Sequence, residues 1–175
     1  TFVNLLLGLL TPTKGKIFIN SELVNKNLSF LQSKVGYVPQ QVYLADESLL
    51  FNISLEEQNI ADIKLVNTIV KTLDLDGFIN SFPNKLYTKV GERGSRISGG
   101  QLQRIGIARA LYRKPSILVL DESTNSLDKK VEQNIIENVF NNEIVNTIIC
   151  ISHRESSFKY CNKIFKLEDK KLKEI

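Results

Sequence analysis

Polar side chains with chemical potential stand where apolar runs of the chain stop. Asp121 and Glu122 follow directly on the run Ile117 to Leu120. Two adjacent carboxylates at a strand end could hold a divalent cation bound to phosphates and deprotonate a water. Strands also end in acidic residues simply because the chain returns to water, so the pair by itself carries either reading. His153, the one histidine, closes the apolar run Ile148 to Ile151, and Gln40 follows Val35 to Val38 and Pro39. Each of these, taken singly, reads as an ordinary polar strand end. Ser98, Gly99, Gly100 and Gln101 precede the helical stripe Leu102, Ile105, Ala108 and Leu111. Ser with Gln three residues later is the signature of a capping box. Two glycines in a first turn cost about 1 kcal/mol each relative to Ala, a poor choice if capping were their sole purpose. What they allow is close approach: a helix start with bare backbone N–H groups and a Ser hydroxyl favours a phosphate.

These residues need a scaffold that brings them to one place. A chain of 175 residues with 42% apolar and 24% charged side chains is the size and composition of one soluble domain, with room for a small insertion. Thr1 to Leu10 reads as a helix, Ile17 to Ile19 as a strand, and Val35 to Val38 as a second strand closed by Pro39. From about Ser48 to Lys114 the signals are helical: Ile63, Val66, Ile69, Val70 and Leu73 keep the three-and-four spacing of one buried face. Ile117 to Leu120 and Thr147 to Ile151 read as strands buried on both faces, separated by the helical stripe Val131, Ile135 and Val139. Strand, helix, strand implies a parallel pair whose carboxyl ends share one sheet edge, where ligands bind in open parallel sheets. That edge would carry Asp121, Glu122 and His153.

Composition excludes several classes. The longest apolar runs fall short of the roughly 20 residues a membrane-spanning helix needs. Net charge is +4, from 23 basic and 19 acidic residues, and the basic excess in Lys163 to Lys173 is interleaved with Leu167, Glu168 and Asp169. That pattern reads as a solvated surface rather than a nucleic-acid patch. Cys150 lies in an apolar run and Cys161 in a polar one, which matches neither a disulfide framework nor a metal site and makes a reducing compartment the expectation. The chain contains no Met, even at position 1, and so reads as part of something longer.

In order along the chain, these motifs resemble one family. Ser98-Gly99-Gly100-Gln101, preceded by Arg96-Ile97 and followed by Leu102-Gln103-Arg104, closely resembles the signature of ATP-binding cassette (ABC) proteins, with Ile97 where Leu is usual. Ile117 to Glu122 resembles the Walker B strand with its glutamate, Ser126-Leu127-Asp128 the D-loop, Ile151-Ser152-His153-Arg154 the H-loop, and Val38-Pro39-Gln40 the Q-loop. Thr1 to Leu10 resembles the helix that follows a Walker A loop, with Thr1 the residue just after that motif. The resemblance implies an α/β fold of the P-loop NTPase type, a mostly parallel sheet with a helical subdomain at about 48–114, residues 1–175 forming a single cassette that lacks its N-terminal part. The phosphate-cradling G-x-x-x-x-G-K-[ST] and the upstream adenine-stacking aromatic are missing from the sequence, which implies a cassette cut just after Walker A and nearly inactive alone.

The resemblance also implies roles, with ATP and Mg2+ as ligands. Asp121 would organise Mg2+ through water; Glu122 would orient and deprotonate the attacking water; Gln40 would reach both. His153 would contact the γ-phosphate and stabilise the transition state, and Thr1 would lie near the α-phosphate. Ser98, Gly99, Gly100 and Gln101 would bind the nucleotide of a second cassette in a head-to-tail dimer, with Asp128 working across that interface. Thr88 to Gly94 resembles the segment coupling cassette to membrane helices in ABC exporters, and Asn52-Ile53 after Leu49-Leu50-Phe51 fits the exporter pattern. That implies a transmembrane domain upstream on the same chain, the cassette on the cytoplasmic face of the membrane, and no nucleic-acid partner. Two alternatives stand beside it. One is a soluble ABC ATPase acting on ribosomes or nucleic acid, for which Thr124-Asn125 is a mild hint; the other is a regulatory cassette that binds nucleotide without turnover, against which Glu122 and His153 both speak.

Overall fold

A computed structural model of the chain describes residues 1–19, 22–23, 28–91, 97–124, 127–141, 145–154, 158–159 and 161–175. Helix α1 (Phe2–Leu6) is followed by the two short strands β1 (Phe18–Ile19) and β2 (Glu22–Leu23), then by α2 (Leu28–Lys34) and β3 (Val35–Val38). A helical block comes next: α3 (Leu49–Ser54), α4 (Ile63–Thr72), α5 (Asp76–Asn80) and α6 (Gly99–Tyr112). Strand β4 (Ile117–Asp121), helix α7 (Lys129–Asn141) and strand β5 (Thr147–Ile151) complete the alternation, and β6 (Phe165–Glu168) with β7 (Lys171–Glu174) ends it.

The central sheet is three-stranded, ordered β3-β4-β5 and parallel throughout. Its middle strand is the most apolar, with Leu118, Val119 and Leu120 buried, as a strand covered on both faces requires. Side chains of a strand alternate between faces, and two layers result. On one face Leu118 and Leu120 join Val38, Ile135 and Val139 in a cluster that runs on into Ile105, Leu111, Ile53 and Leu73 of the helical block. On the other, Val119 packs against Val3 and Leu7, with Tyr37, Ile149 and Ile151 around them. The parallel β4–α7–β5 pairing is as the sequence indicated, but β5, expected to be buried on both faces, lies at the edge of this sheet among the described residues, with Thr147 exposed and the rest only partly buried. Sheet and helical block share one continuous core.

Helix starts follow their caps. Ser48 accepts from the Phe51 amide, Asp62 from the Leu65 amide, and Ser98 from the Gln101 amide. Helix α6 lies tight on the sheet and on the chain after Gln40. A Cβ on Gly36 would sit 3.1 Å from the Ala110 carbonyl, and one on Gly106 would sit 2.5 Å from Val42 Cγ2.

The structure differs from the sequence expectation at the first helix, and it gives the lysine-rich end, exposed as expected, a form the sequence did not indicate. Helix α1 stops at Leu6 rather than reaching Leu10, because Gly8 takes a left-handed φ of 70° and the amides of Leu9 and Leu10 both turn back to the Asn4 carbonyl. The lysine-rich end is a hairpin, with Leu167 opposite Leu172 and positive φ at both Asp169 and Lys170 in the connecting turn. Among the described residues no helix is long and apolar enough to cross a membrane, and both cysteines are free.

Candidate active site

The parallel register brings the carboxyl ends of β3, β4 and β5 to one edge, since Val38 pairs with Leu120 and Asp121 with Ile151. Four of the expected residues gather there. Glu122 sits one residue past β4 with a left-handed φ of 50°, a conformation that costs a non-glycine residue about 1 kcal/mol or more. Its amide donates to the Ile151 carbonyl at 2.9 Å, so the end of β4 is tied to the end of β5. This turn sets the Glu122 side chain between its neighbours: Gln40 Nε2 donates to Oε2 at 3.2 Å, and His153 Nε2 lies 3.1 Å from Oε1. Glu122 is 24% exposed and His153 84% exposed, so the imidazole reaches solvent while the carboxylate stands behind it.

Asp121 is held from the side. The Tyr37 hydroxyl, on β3, donates to Asp121 Oδ2 at 3.0 Å. Burial, then that hydrogen bond, then the Asp121 charge push the Tyr37 phenol up, so it stays a donor. The arrangement offers a carboxylate able to take a proton from water, flanked by an amide and an imidazole, beside a second carboxylate with one oxygen already fixed.

The other expected residues lie elsewhere. Ser98 and Gln101 form a complete capping box: the Gln101 amide donates to Ser98 Oγ at 3.3 Å and the Ser98 amide to Gln101 Oε1 at 2.9 Å. The capping alternative is therefore realised at these two side chains. The amides of Gly99 and Gly100, in the first turn, have no carbonyl within the helix to bond. Thr1 is exposed ahead of α1 and makes no side-chain cap bond. Asp128 is exposed just before α7, its carbonyl accepting from the Glu132 amide. Glu92, Arg93, Gly94, Arg96, Asn125 and Ser126, which the sequence reading also used, lie outside the described residues.

A match to the model of the ABC transporter family runs over residues 1–125. The chain belongs to that family. The cassette is 38% identical to ABC transporter B family member 29, chloroplastic, of Arabidopsis thaliana, an alignment covering 100% of this chain and 28% of that protein. A putative export ATP-binding/permease protein of Rickettsia typhi is 35% identical over 98% of the chain and 30% of its own length. The ATP-dependent lipid A-core flippase of Bordetella avium is 34% identical over 96% and 29%. The fold superposes on the structure of a bacterial Atm1-family ABC exporter with ATP bound, with a TM-score of 0.82 and 32% identity over 90% of this chain and 28% of that one. The cassette is thus an ATP-binding domain of the ABC transporter family with the expected α/β fold, similar to those of the exporters named above, and it spans under a third of the length of each of these relatives. These matches give no support to the soluble or the regulatory alternative.

Three further residues support this region: Tyr37 and Arg109, which no sequence motif singled out, and Arg154, which the H-loop motif included without a role. Tyr37 was legible as an aromatic with a polar tip in an otherwise apolar strand. Arg154 Nη1 donates to the Leu127 carbonyl at 3.1 Å and lies 3.9 Å from Glu132, joining the H-loop to the chain before α7. Arg109 interrupts the apolar face of α6 and reaches the chain that follows Gln40.

Proposed function

We propose that the cassette hydrolyses ATP with Glu122, His153 and Gln40, and that a second cassette closing on it head to tail drives a transmembrane domain on the same chain. Its place is the cytoplasmic face of a membrane, and helices α3 to α6, about 48–114, act as a helical subdomain. The observation that carries this reading is the Gln40–Glu122–His153 contact at the carboxyl edge of a parallel sheet.

Glu122 accepts the proton of the attacking water, and Gln40 fixes the other carboxylate oxygen so that the base keeps one orientation. His153 donates to the phosphoryl oxygens as charge builds on them; its exposure leaves Nε2 free to exchange partners. Asp121 and Gln40 fit a cation held partly by water and phosphate: Tyr37 occupies one Asp121 oxygen and leaves the other, and among the described residues no group of three or more His, Cys, Asp and Glu side chains forms a cage of its own. Bound there, Mg2+ would neutralise charge on the transferred phosphate. Ser98, Gly99, Gly100 and Gln101 bind the partner cassette's nucleotide through the free amides at the start of α6, Asp128 works across the same interface, and Thr1 lies near the α-phosphate.

Phosphate release by the full-length protein tests this directly. His153→Ala should lower ATP turnover by about 100-fold or more, the scale of a lost transition-state donor. Turnover within a factor of two of wild type would remove His153 from the chemistry.

A further inference from the structure

Gln40 sits in an exposed stretch between a strand end and a helix, yet its catalytic task requires one position. The chain that follows it is held with unusual completeness. Val42 and Leu44 point inward and are buried, Val42 against Gly106 of α6. Asn52 of α3, 0% exposed, spends its whole side chain on this segment: Oδ1 accepts from the Ala45 amide at 2.9 Å, and Nδ2 donates to the carbonyls of Ala45 at 3.0 Å and Ser48 at 3.1 Å. Arg109 of α6 closes the arrangement. Its Nε donates to the Asn52 carbonyl at 2.8 Å, its Nη2 to Asn52 Oδ1 at 3.3 Å, and its Nη1 to the Tyr43 carbonyl at 3.0 Å.

All these acceptors are neutral. A half-buried guanidinium whose partners among the described residues are all neutral oxygens gives up hydration without the return of an ion pair from them, and burial lowers its pKa accordingly. A buried apolar residue would fill the same space with no such cost. What the guanidinium adds is its planar fork, which fixes three acceptors in one geometry. Helix α6 also begins at Ser98 and Gly99, ten residues or about 15 Å from Arg109 along a rigid helix.

We infer that Arg109 and Asn52 are positioning residues for Gln40: together they lock the main chain from Tyr43 to Ser48 onto α3 and α6, and so fix where the Gln40 amide meets Glu122. The inference rests on the catalytic role proposed for Gln40.

The test is a double-substitution cycle in the full-length protein, with hydrogen exchange on the unmodified protein alongside. Arg109→Lys keeps the charge and removes the fork. It should lower kcat for ATP about 10-fold while leaving KM within about twofold, the pattern of a misplaced catalytic group. In a Gln40→Ala background the same substitution should change kcat less than about twofold, because the group it positions is gone. Asn52→Asp, which loses the bonds donated to the carbonyls of Ala45, Glu47 and Ser48, should behave the same way. A full 10-fold loss in the Gln40→Ala background, or an unchanged kcat in the single variant, would overturn the inference. Exchange at the Ala45 amide reports the lock without any substitution: protection comparable to α6 is expected, and exchange at the rate of a free loop would contradict it. If Gln40→Ala alone leaves kcat unchanged while Ala45 is protected, the proposed role of Gln40 fails and the lock stands as structure only.

Discussion

Asp121 and Glu122 are neighbours in sequence with different surroundings, and the difference suits the separate tasks proposed for them. Asp121 ends a strand and is tied by Tyr37; Glu122 leaves the strand through a left-handed turn and faces Gln40 and His153. Tyr37→Phe removes one hydrogen bond to a carboxylate at a partly exposed site, so about 1 kcal/mol of stability should go with it. For a domain of this size that is a fall of about 2–4 °C in the thermal midpoint of the cassette, measurable by calorimetry; an unchanged midpoint would mean that Asp121 finds water as good a partner. The four chemical residues were legible because each stands at the end of an apolar run. The bond from Tyr37 to Asp121 was not, because a strand pattern records which face a residue is on and not which carboxylate it reaches two rungs along the neighbouring strand.

At the scale of elements, contacts override propensity. Gly106→Ala in a helix interior ordinarily gains about 1 kcal/mol. Here the new methyl would meet Val42, a stiff β-branched side chain, at 2.5 Å. Overpacking of this kind costs about 1–3 kcal/mol, so the variant should be less stable than wild type, and a raised thermal midpoint would show that the chain after Gln40 yields freely. Strand β5 carries a second prediction. Burial first, then the neighbouring Cys161 and Glu132, pushes the Cys150 thiol up to about 12. Unfolded, the thiol titrates near about 8.5. The folded state therefore keeps a proton that the unfolded state releases, and the stability this contributes is complete below about pH 8.5 and lost as pH rises toward 12. Unfolding free energy between pH 9 and 11 should fall with a slope one proton steeper in wild type than in Cys150→Ala. Equal slopes would contradict the burial of this thiol. The strands and helices of this region were legible from their periods, α6 also from its capping box, and so was the parallel pairing. The end of α1 and the hairpin β6–β7 were not: Gly8 ends α1 inside a continuing apolar pattern, and the hairpin's strands are exposed throughout, with no buried face to mark them.

For the whole molecule, the order of motifs was the strongest signal in the sequence. Each motif alone matches a common structural feature, as the capping box at Ser98 illustrates, but one fold is needed to bring Gln40, Glu122 and His153 together from positions 40, 122 and 153. The family match and the exporter relatives agree with that fold. The central claim is that Glu122 is the base of an ATPase, and Glu122→Gln in the full-length protein tests it most directly. Removing a general base costs about 10²–10⁴-fold in rate. The account predicts that phosphate release falls by at least that lower figure while ATP still binds and a closed cassette dimer accumulates; turnover equal to wild type would contradict it.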